Sequence, residues 1–189
     1  MGSSTSQSTA PAEFLRLFRR GGGTRSICLT LWVMWGLAAS AQTVAVRLDV
    51  PLQKQPYNLC LPASVSMVLS YWGVDISATQ IGDQVAVYKD GTTGGELRSF
   101  VEKMGFRGFL IQPSLEDLLL HVEKGRPVII VLPSDNNVRH AMVMVGVDGM
   151  RQQVWLNDPA TGNALSVDIP SFRRRWTSAG HWTFLILPK

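Results

Sequence analysis

Apolar residues in the middle of the chain recur at the spacing of amphipathic helices. Two stretches have apolar side chains at positions i, i+3, i+4 and i+7: Leu97, Phe100, Val101 and Met104, then Leu115, Leu118, Leu119 and Val122. A glycine follows each stretch, and glycine commonly ends a helix. Both stretches are therefore predicted helices, and Ser114 is the candidate N-cap of the second.

A third helix is predicted where the chain is most apolar, from Leu61 to Trp72. Small residues are mixed there with larger apolar ones, which indicates burial on most sides, and Cys60 opens the stretch. Pro62 suits the first turn, because a helix does not need that N–H. Further along, Ser77 is the candidate N-cap of a short helix that extends to about Ala86.

The second half of the chain changes to short β-type runs separated by Pro, Gly, Asn and Asp. These runs predict strands at Phe109–Gln112, Val128–Leu132, Ala141–Val147, Gln153–Leu156, Leu165–Ile169 and Trp182–Leu187. An extended segment, Val44–Leu52, leads into the helices, and a short helix from Ser171 to about Thr177 interrupts the strands. Helices followed by a mostly antiparallel sheet predict an α+β fold.

The N-terminal residues have a different pattern, polar and basic at first and then apolar. The apolar run Ile27–Ala39 is 13 residues long, shorter than the roughly 20 residues that a transmembrane helix needs. It ends in Ala39-Ser40-Ala41, and this arrangement is typical of a secretory signal peptide. We predict a cleaved leader at residues 1–41 and one domain at 42–189 with no membrane span. The domain is then periplasmic or secreted, with an uncleaved N-terminal anchor as the alternative.

The basic character of the chain comes largely from this leader. The net charge is +4, and four arginines against one glutamate give the leader +3, which leaves +1 for residues 42–189. A nucleic-acid partner therefore loses its main support. The short run Arg173-Arg174-Arg175 is interpreted as the solvated face of a helix rather than as a phosphate site.

The cysteine count also depends on the leader. Of two cysteines, Cys28 leaves with the leader and Cys60 becomes the only thiol. Two cysteines and three histidines give little material for a disulfide scaffold or a metal site, so we expect no metal and no cofactor. Cys60 is then an inert buried thiol, half of an intermolecular disulfide, or a nucleophile.

The position of Cys60 favours the nucleophile, because N–H groups at a helix start lower the pKa of a thiol. His140 opens a predicted strand and Asp158 closes the next one. A hairpin that turns at Gly149 would place them directly opposite each other on one face, where the carboxylate can orient the imidazole. A one-residue slip would separate them, and Asn157 is the alternative orienting residue.

Acyl transfer by a thiolate also needs a hydrogen-bond donor for the oxyanion that develops on the substrate. Gln55 is the candidate for this donor and Gln53 is the fallback. Both lie on the segment that leads into the helix of Cys60. The other two histidines, His121 and His181, are interpreted as structural. Among the tryptophans, only Trp155 and Trp182 are candidates to border the cleft.

The chain resembles the bacteriocin-processing (double-glycine leader) peptidases, which are papain-like cysteine peptidases. The resemblance is carried by three stretches together: Gln55–Ser64, Arg139–Gly146 and Asn157–Pro159. The resemblance covers about residues 48–188 and implies a papain-like α+β fold. It also implies the roles of four residues as oxyanion donor, nucleophile, base and orienting acid: Gln55, Cys60, His140 and Asp158. The family usually has glycine after the nucleophile, so Leu61 puts the fit of the substrate in question.

The sequence therefore predicts an exported cysteine peptidase that hydrolyses a peptide or protein through a thioester. No ATP-binding or transmembrane exporter domain follows the matched stretches in the sequence, so we expect a free-standing relative. Two alternatives stay open: a papain-fold transpeptidase or amide ligase, and an inactive peptide-binding module. The sequence does not indicate an oligomeric state.

Overall fold

The computed structural model describes residues 45–89, 91–134 and 138–189. Within these ranges the chain forms five helices: α1 (Cys60–Tyr71), α2 (Ala78–Gly82), α3 (Gly94–Lys103), α4 (Leu115–Glu123) and α5 (Ile169–Ser178). It also forms seven strands: β1 (Val46–Arg47), β2 (Phe106–Ile111), β3 (Val128–Pro133), β4 (Arg139–Asp148), β5 (Gln153–Asp158), β6 (Asn163–Asp168) and β7 (Thr183–Pro188). The predicted leader at residues 1–41 lies outside the described residues.

The strands form one antiparallel sheet in the order β2-β7-β3-β4-β5-β6, and β1 pairs with β4. Both faces of the sheet are covered. Ile129 and Val131 belong to a core shared with α1 and α3, whereas Val128, Ile130 and Leu132 belong to a core shared with α4 and α5. Strand side chains alternate between faces, so a strand covered on both sides is apolar throughout. The predicted α+β arrangement is confirmed.

Helix α1 is buried along most of its length, as its composition predicts. Every residue from Leu61 to Leu69 is buried, and the helix packs on β4. The buried hydroxyl of Ser66 lies within hydrogen-bond distance of two oxygens, that of the Gln53 side chain and the carbonyl of Ile76. These contacts hold the segments before and after the helix against the middle of α1.

Several element boundaries differ from the sequence prediction. Helix α2 begins after its predicted cap Ser77 but ends at Gly82 rather than near Ala86, since Gly is a poor helix former. Strand β2 begins at Phe106, three residues early, because its pairing with β7 starts there. Ile169 begins α5 instead of ending a strand, because the Asp168 side chain accepts a hydrogen bond from the Ser171 N–H.

The predicted register of the β4–β5 hairpin is wrong. Asp148 pairs with Gln153, so a four-residue loop replaces the predicted turn at Gly149. A register shift between Met144 and Gly146 then changes the pairing again. As a result the residue opposite Asp158 in this register is Met142. His140 lies two positions before Met142 in β4.

No helix within the described ranges combines the length and the apolar character needed to cross a membrane.

Candidate active site

Three side chains from three elements meet at one edge of the sheet. Cys60 begins α1, His140 is the second residue of β4, and Asp158 is the last residue of β5. The Nε2 atom of His140 lies 2.6 Å from Oδ1 of Asp158, and the imidazole lies close enough to the Cys60 thiol to lower the pKa of that thiol. Because Nε2 is occupied by the carboxylate, Nδ1 is the nitrogen left for the sulfur.

The backbone around Cys60 favours its thiolate. Leu59, at the N-cap position of α1, provides no side-chain cap, and the first N–H groups of a helix have no partner within it. The backbone N–H groups of Ala141 and Leu61 lie near the sulfur and lower its pKa. Burial raises the pKa of Cys60, but the nearby His140 imidazole with its charge and these two backbone groups together outweigh burial, so its pKa lies below 9.0.

The pKa of His140 changes in the opposite direction. Burial lowers it, but the nearby Cys60 and Asp158 side chains and their negative charges raise it above 6.5 overall. A thiol with a lowered pKa beside an imidazole with a raised pKa favours the thiolate–imidazolium pair. Such a pair supplies a nucleophile and a proton donor at the same place.

Asp158 is held ionised by its own turn as well as by His140. Its side chain is 6% exposed and accepts hydrogen bonds from the Ala160 N–H at 2.9 Å and the Thr161 hydroxyl at 3.0 Å. Burial raises its pKa, but these donors and His140 lower it below 3.8. We did not anticipate Thr161 from the sequence, although a short polar side chain near an Asp-Pro turn is a typical Asx-turn signal.

Asn157, the alternative orienting residue, is placed elsewhere. Neighbouring strand residues face opposite sides, and the Asn157 amide donates to the buried carbonyl of Val50 at 3.0 Å. It therefore fixes the segment that enters the domain, and Asp158 is the residue that contacts His140.

The two glutamine candidates separate clearly. The Gln53 side chain accepts from Ser66 at 2.7 Å and donates to Ser70, so it faces the middle of α1. Gln55 lines the same depression as Cys60 and His140, and its backbone N–H donates to the carbonyl of Pro159 at 2.8 Å. Its Oε1 atom is buried and has no hydrogen-bond partner among the described residues. The structure thus places Gln55, not Gln53, on the depression that Cys60 borders.

Cys60 lies between two depressions. The small depression, about 350 Å³, is bordered by Leu61, Ala141 and Trp182. The large depression, about 700 Å³, is bordered by Gln55, His140 and Asp158. Leu61 is only 7% exposed and packs into the core, so its bulk does not close the small depression. A peptide can therefore extend to both sides of the sulfur.

The remaining candidates lie outside this site. His121 borders a separate depression of about 520 Å³ beside α4, and His181 packs on Trp176 and hydrogen-bonds Thr177. Trp155 packs against Gly146, so Trp182 alone of the two candidate tryptophans borders the cleft. Within the described ranges no three His, Cys, Asp or Glu side chains lie close enough together to hold a metal ion.

The third arginine of the Arg173–Arg175 run departs from its interpretation as a solvated residue. Arg173 and Arg174 are exposed. Arg175 is half-buried, donates to the carbonyl of Pro133 at 2.8 Å, and borders the large depression. Because α5 exposes each residue at a different angle, three consecutive arginines cannot share one environment.

Comparison with known proteins agrees with this geometry. The profile of the Peptidase C39 like family matches residues 47–183. The chain is also 25% identical over 138 residues to the lactococcin-G-processing and transport ATP-binding protein LagD of Lactococcus lactis subsp. lactis. That match covers 73% of this chain but 18% of LagD, so the chain spans less than a fifth of its relative.

Solved structures show the same fold. The peptidase domain of ComA from Streptococcus, a bifunctional ABC transporter involved in quorum sensing, superposes with a TM-score of 0.64 at 19% identity, covering 74% of this chain and 98% of that domain. A double-glycine-motif protease from an AMS/PCAT transporter, solved with its leader peptide, gives a TM-score of 0.63 at 23% identity over 76% of this chain and 95% of that one.

The resemblance seen in the sequence is therefore confirmed by a profile that matches well over half of the chain, and the papain-like fold by the solved structures. The chain belongs to the Peptidase C39 like family, and this membership indicates a cysteine-type peptidase.

Proposed function

We propose that this chain hydrolyses peptide bonds with Cys60 as nucleophile, His140 as acid and base, and Asp158 as the orienting acid. The observation that carries the proposal is the part-buried contact of 2.6 Å between the His140 imidazole and the Asp158 carboxylate, with the imidazole close enough to Cys60 to lower the pKa of the thiol. Each group has a pKa moved in the direction that the reaction needs.

In the first half of the proposed reaction, the Cys60 thiolate attacks the carbonyl carbon of the substrate, and the carbonyl oxygen takes the negative charge. The amide of Gln55 and the N–H of Cys60 donate to that oxygen. The His140 imidazolium gives its Nδ1 proton to the leaving nitrogen, the C–N bond breaks, and an amine leaves. A thioester on Cys60 and a neutral imidazole are left.

In the second half, His140 accepts a proton from water at Nδ1 while the water oxygen attacks the thioester carbon. The C–S bond breaks, the acid product leaves, and the thiolate–imidazolium pair is restored. Asp158 holds the ring through Nε2 in both halves and stabilises its charged form, as an orienting carboxylate does in other nucleophile–imidazole systems.

The open small depression beside Cys60 supports turnover over the inactive-module alternative. Leu61 occupies the position where the family usually has glycine, yet its side chain is largely buried in the core, and the cavity that it borders beside the thiol still measures about 350 Å³. An amine acceptor in place of water would give the ligase reaction from the same thioester, and no contact within the described residues selects for one.

We propose a peptide or protein segment as the substrate. The AMS/PCAT protease was solved with a leader peptide, and LagD is a lactococcin-G-processing protein. A peptide ending in Gly-Gly before the scissile bond is therefore the first probe to use.

The decisive experiment traps the thioester. The protein is mixed with a Gly-Gly peptide and quenched in acid, and the tryptic peptide containing Cys60 is examined by mass spectrometry. We expect an acyl adduct on Cys60 in the wild type and none in Cys60→Ala, which should also lose cleavage. If Cys60→Ala cleaves at the wild-type rate, the proposal is wrong, and an amide product formed with added glycinamide would favour the ligase alternative.

We also propose that the domain is exported, on the evidence of the basic segment, the apolar run Ile27–Ala39 and the Ala39-Ser40-Ala41 site. Expression of the full chain in a bacterium, followed by fractionation and N-terminal sequencing, tests this. We expect periplasmic protein beginning at Gln42. Full-length protein confined to the cytoplasm would contradict export, and full-length protein in the membrane would favour the anchor.

A further inference from the structure

The two depressions beside Cys60 have different chemical roles under the proposed function. His140 borders the large depression and is absent from the described residues around the small one. Because His140 must protonate the leaving nitrogen, the segment that follows the scissile bond lies in the large depression. The acyl segment then lies in the small depression, against Leu61 and Trp182.

The large depression is basic. Lys89 comes from the loop before α3, Arg139 begins β4, and Arg175 lies in α5, so basic residues from three separate elements border the same depression. Arg139 also borders the small depression. It therefore lies next to the scissile bond, whereas Lys89 and Arg175 border only the leaving side.

Two of these cations are held in place by backbone carbonyls. An Nη2 atom of Arg175 donates to Pro133 at 2.8 Å, and an Nη2 atom of Arg139 donates to Ala179 at 3.3 Å. A guanidinium has five N–H donors, so each of these groups is oriented by one bond and keeps most of its donors for a ligand. An oriented guanidinium is well suited to bind a carboxylate through two parallel hydrogen bonds.

The described residues do not neutralise this charge. Asp158 is the one described carboxylate that borders the large depression, and it already accepts hydrogen bonds from His140, Ala160 and Thr161. Within the described ranges, which leave out Asp90 and Asp135, neither Arg139 nor Arg175 forms an ion pair.

We propose that the large depression selects substrates with Asp or Glu in the first residues after the scissile bond. The direction of the peptide in this proposal rests on the proposed hydrolysis. The recognition itself rests on the geometry of the basic wall, the part of the large depression formed by Lys89, Arg139 and Arg175. A carboxylate side chain there would replace water on Arg175 and Lys89. Residues on the acyl side of the scissile bond would not contribute to this preference.

Three internally quenched peptides test the preference. They are identical up to a Gly-Gly before the scissile bond and continue with Asp-Glu, Asn-Gln or Lys-Lys. We expect kcat/KM to fall in that order, by about two- to fivefold for each acidic side chain replaced by its amide, as for partly exposed ion pairs. The differences should shrink in about 0.5 M salt, which screens exposed charges. Equal rates for the acidic and amide peptides would overturn the proposal.

Matched variants locate the effect. Arg175→Gln and Lys89→Gln should each reduce the ratio of kcat/KM for the acidic peptide to kcat/KM for the amide peptide. Lys89→Gln tests the proposal independently, because Arg175→Gln also removes the bond to Pro133. Arg174→Gln removes the same charge from the residue that precedes Arg175 in α5. The guanidinium of Arg174 is exposed and donates to Ser171. This variant should leave the ratio unchanged. If Arg174→Gln reduces the ratio as much as Arg175→Gln, the preference comes from overall charge and the proposal is wrong.

A binding experiment separates this proposal from the proposed hydrolysis. Cys60→Ala is titrated with fluorescent versions of the acidic and amide peptides, and anisotropy gives the two dissociation constants. If the wild type cleaves none of the peptides, hydrolysis fails, and this comparison alone decides the preference. Tighter binding of the acidic peptide, lost in the double variant with Arg175→Gln, supports the basic wall, and equal binding overturns it.

Discussion

His140 and Asp158 contact each other across the β4–β5 hairpin although they are not directly paired. Asn157 pairs with Val143, so the register continues from Asp158 to Met142, two residues from His140. An offset of two keeps both side chains on the same face of the sheet. A diagonal pair of this kind is within reach of long side chains, and the imidazole bridges the gap to reach 2.6 Å.

Replacing the carboxylate of Asp158 by an amide should reduce activity less than replacing it by a methyl group. Asp158→Asn keeps an oxygen that accepts from Nε2 and loses only the charge, whereas Asp158→Ala frees the ring to rotate. We expect kcat/KM to fall by about 100-fold in Asp158→Ala, at the lower end of general acid–base contributions, and by less in Asp158→Asn. Steady-state cleavage of one quenched peptide measures both.

Thr161→Val is the control for this pair. It removes one hydrogen bond to Asp158 at 3.0 Å but leaves the contact with His140, so activity should fall by only a small factor. A loss as large as that of Asp158→Ala would mean that the turn, rather than the carboxylate, orients the imidazole.

The reactivity of Cys60 should begin at a lower pH than that of an ordinary thiol. Burial raises its pKa, but the His140 imidazole and the backbone N–H groups of Ala141 and Leu61 together lower it below 9.0, so thiolate is present over a pH range in which the unfolded chain carries thiol. The rate of alkylation by iodoacetamide should therefore rise through a midpoint below 9.0. Mass spectrometry of the tryptic peptide containing Cys60 reports this thiol alone.

Replacing the imidazole should reverse this shift. In His140→Ala the two backbone donors remain, but burial is no longer outweighed by the ring, so the midpoint should move up. His121→Ala is the matched control, because His121 lies beside a separate depression, and it should leave the midpoint unchanged. A wild-type midpoint at or above 9.0, or the same midpoint in His140→Ala, would contradict the thiolate–imidazolium pair.

Gln55 and Gln53 allow the oxyanion role to be tested by two like substitutions. Gln55→Ala removes the amide that faces the large depression, and kcat should fall by about 100- to 1,000-fold, as for other oxyanion donors. Gln53→Ala breaks the bond to Ser66 at 2.7 Å. It should lower the free energy of unfolding by about 1 kcal/mol without a comparable change in kcat. The opposite result would move the role to Gln53.

The order of the elements could be predicted from the sequence because it depends on local patterns. Apolar spacing located α3 and α4, and the mixture of small and apolar residues located the buried helix of Cys60. The hairpin was different: the prediction that His140 and Asp158 share a face came out right from a wrong register. An error of two residues preserves the face, whereas an error of one would have separated them.

Contacts that depend on packing between distant elements could not be predicted. The sequence presents Arg173, Arg174 and Arg175 as equals, and only the angle of α5 against β3 brings the third to the large depression. The sequence also preferred Gln55 to Gln53 without excluding Gln53, whereas in the structure one bond to Ser66 directs Gln53 away from the depression. These choices depend on the tertiary structure rather than on residue type.

Gly146 provides a test of the hairpin itself. It pairs with Arg47 of β1 and Trp155 of β5 at the register shift. A Cβ atom there would lie 2.6 Å from the Trp155 ring and 2.7 Å from the carbonyl oxygen of Val46. The ring and the backbone oxygen lie on strands that flank β4, so neither can move away without disturbing the sheet. Gly146→Ala should therefore lower the free energy of unfolding by about 1–3 kcal/mol, as overpacking does.

Urea unfolding measures this loss, and Gly95→Ala provides the comparison. Gly95 lies in the first turn of α3, where the nearest atom to an added Cβ is 3.9 Å away. Alanine is a better helix former there by about 1 kcal/mol, so this variant should be as stable as the wild type or more so. If Gly146→Ala is no less stable than Gly95→Ala, the close approach of β1 and Trp155 is wrong. If it is destabilised, the alkylation midpoint of Cys60 shows whether the strain also reaches His140: a midpoint that moves toward 9.0 means that the register of β4 positions the imidazole.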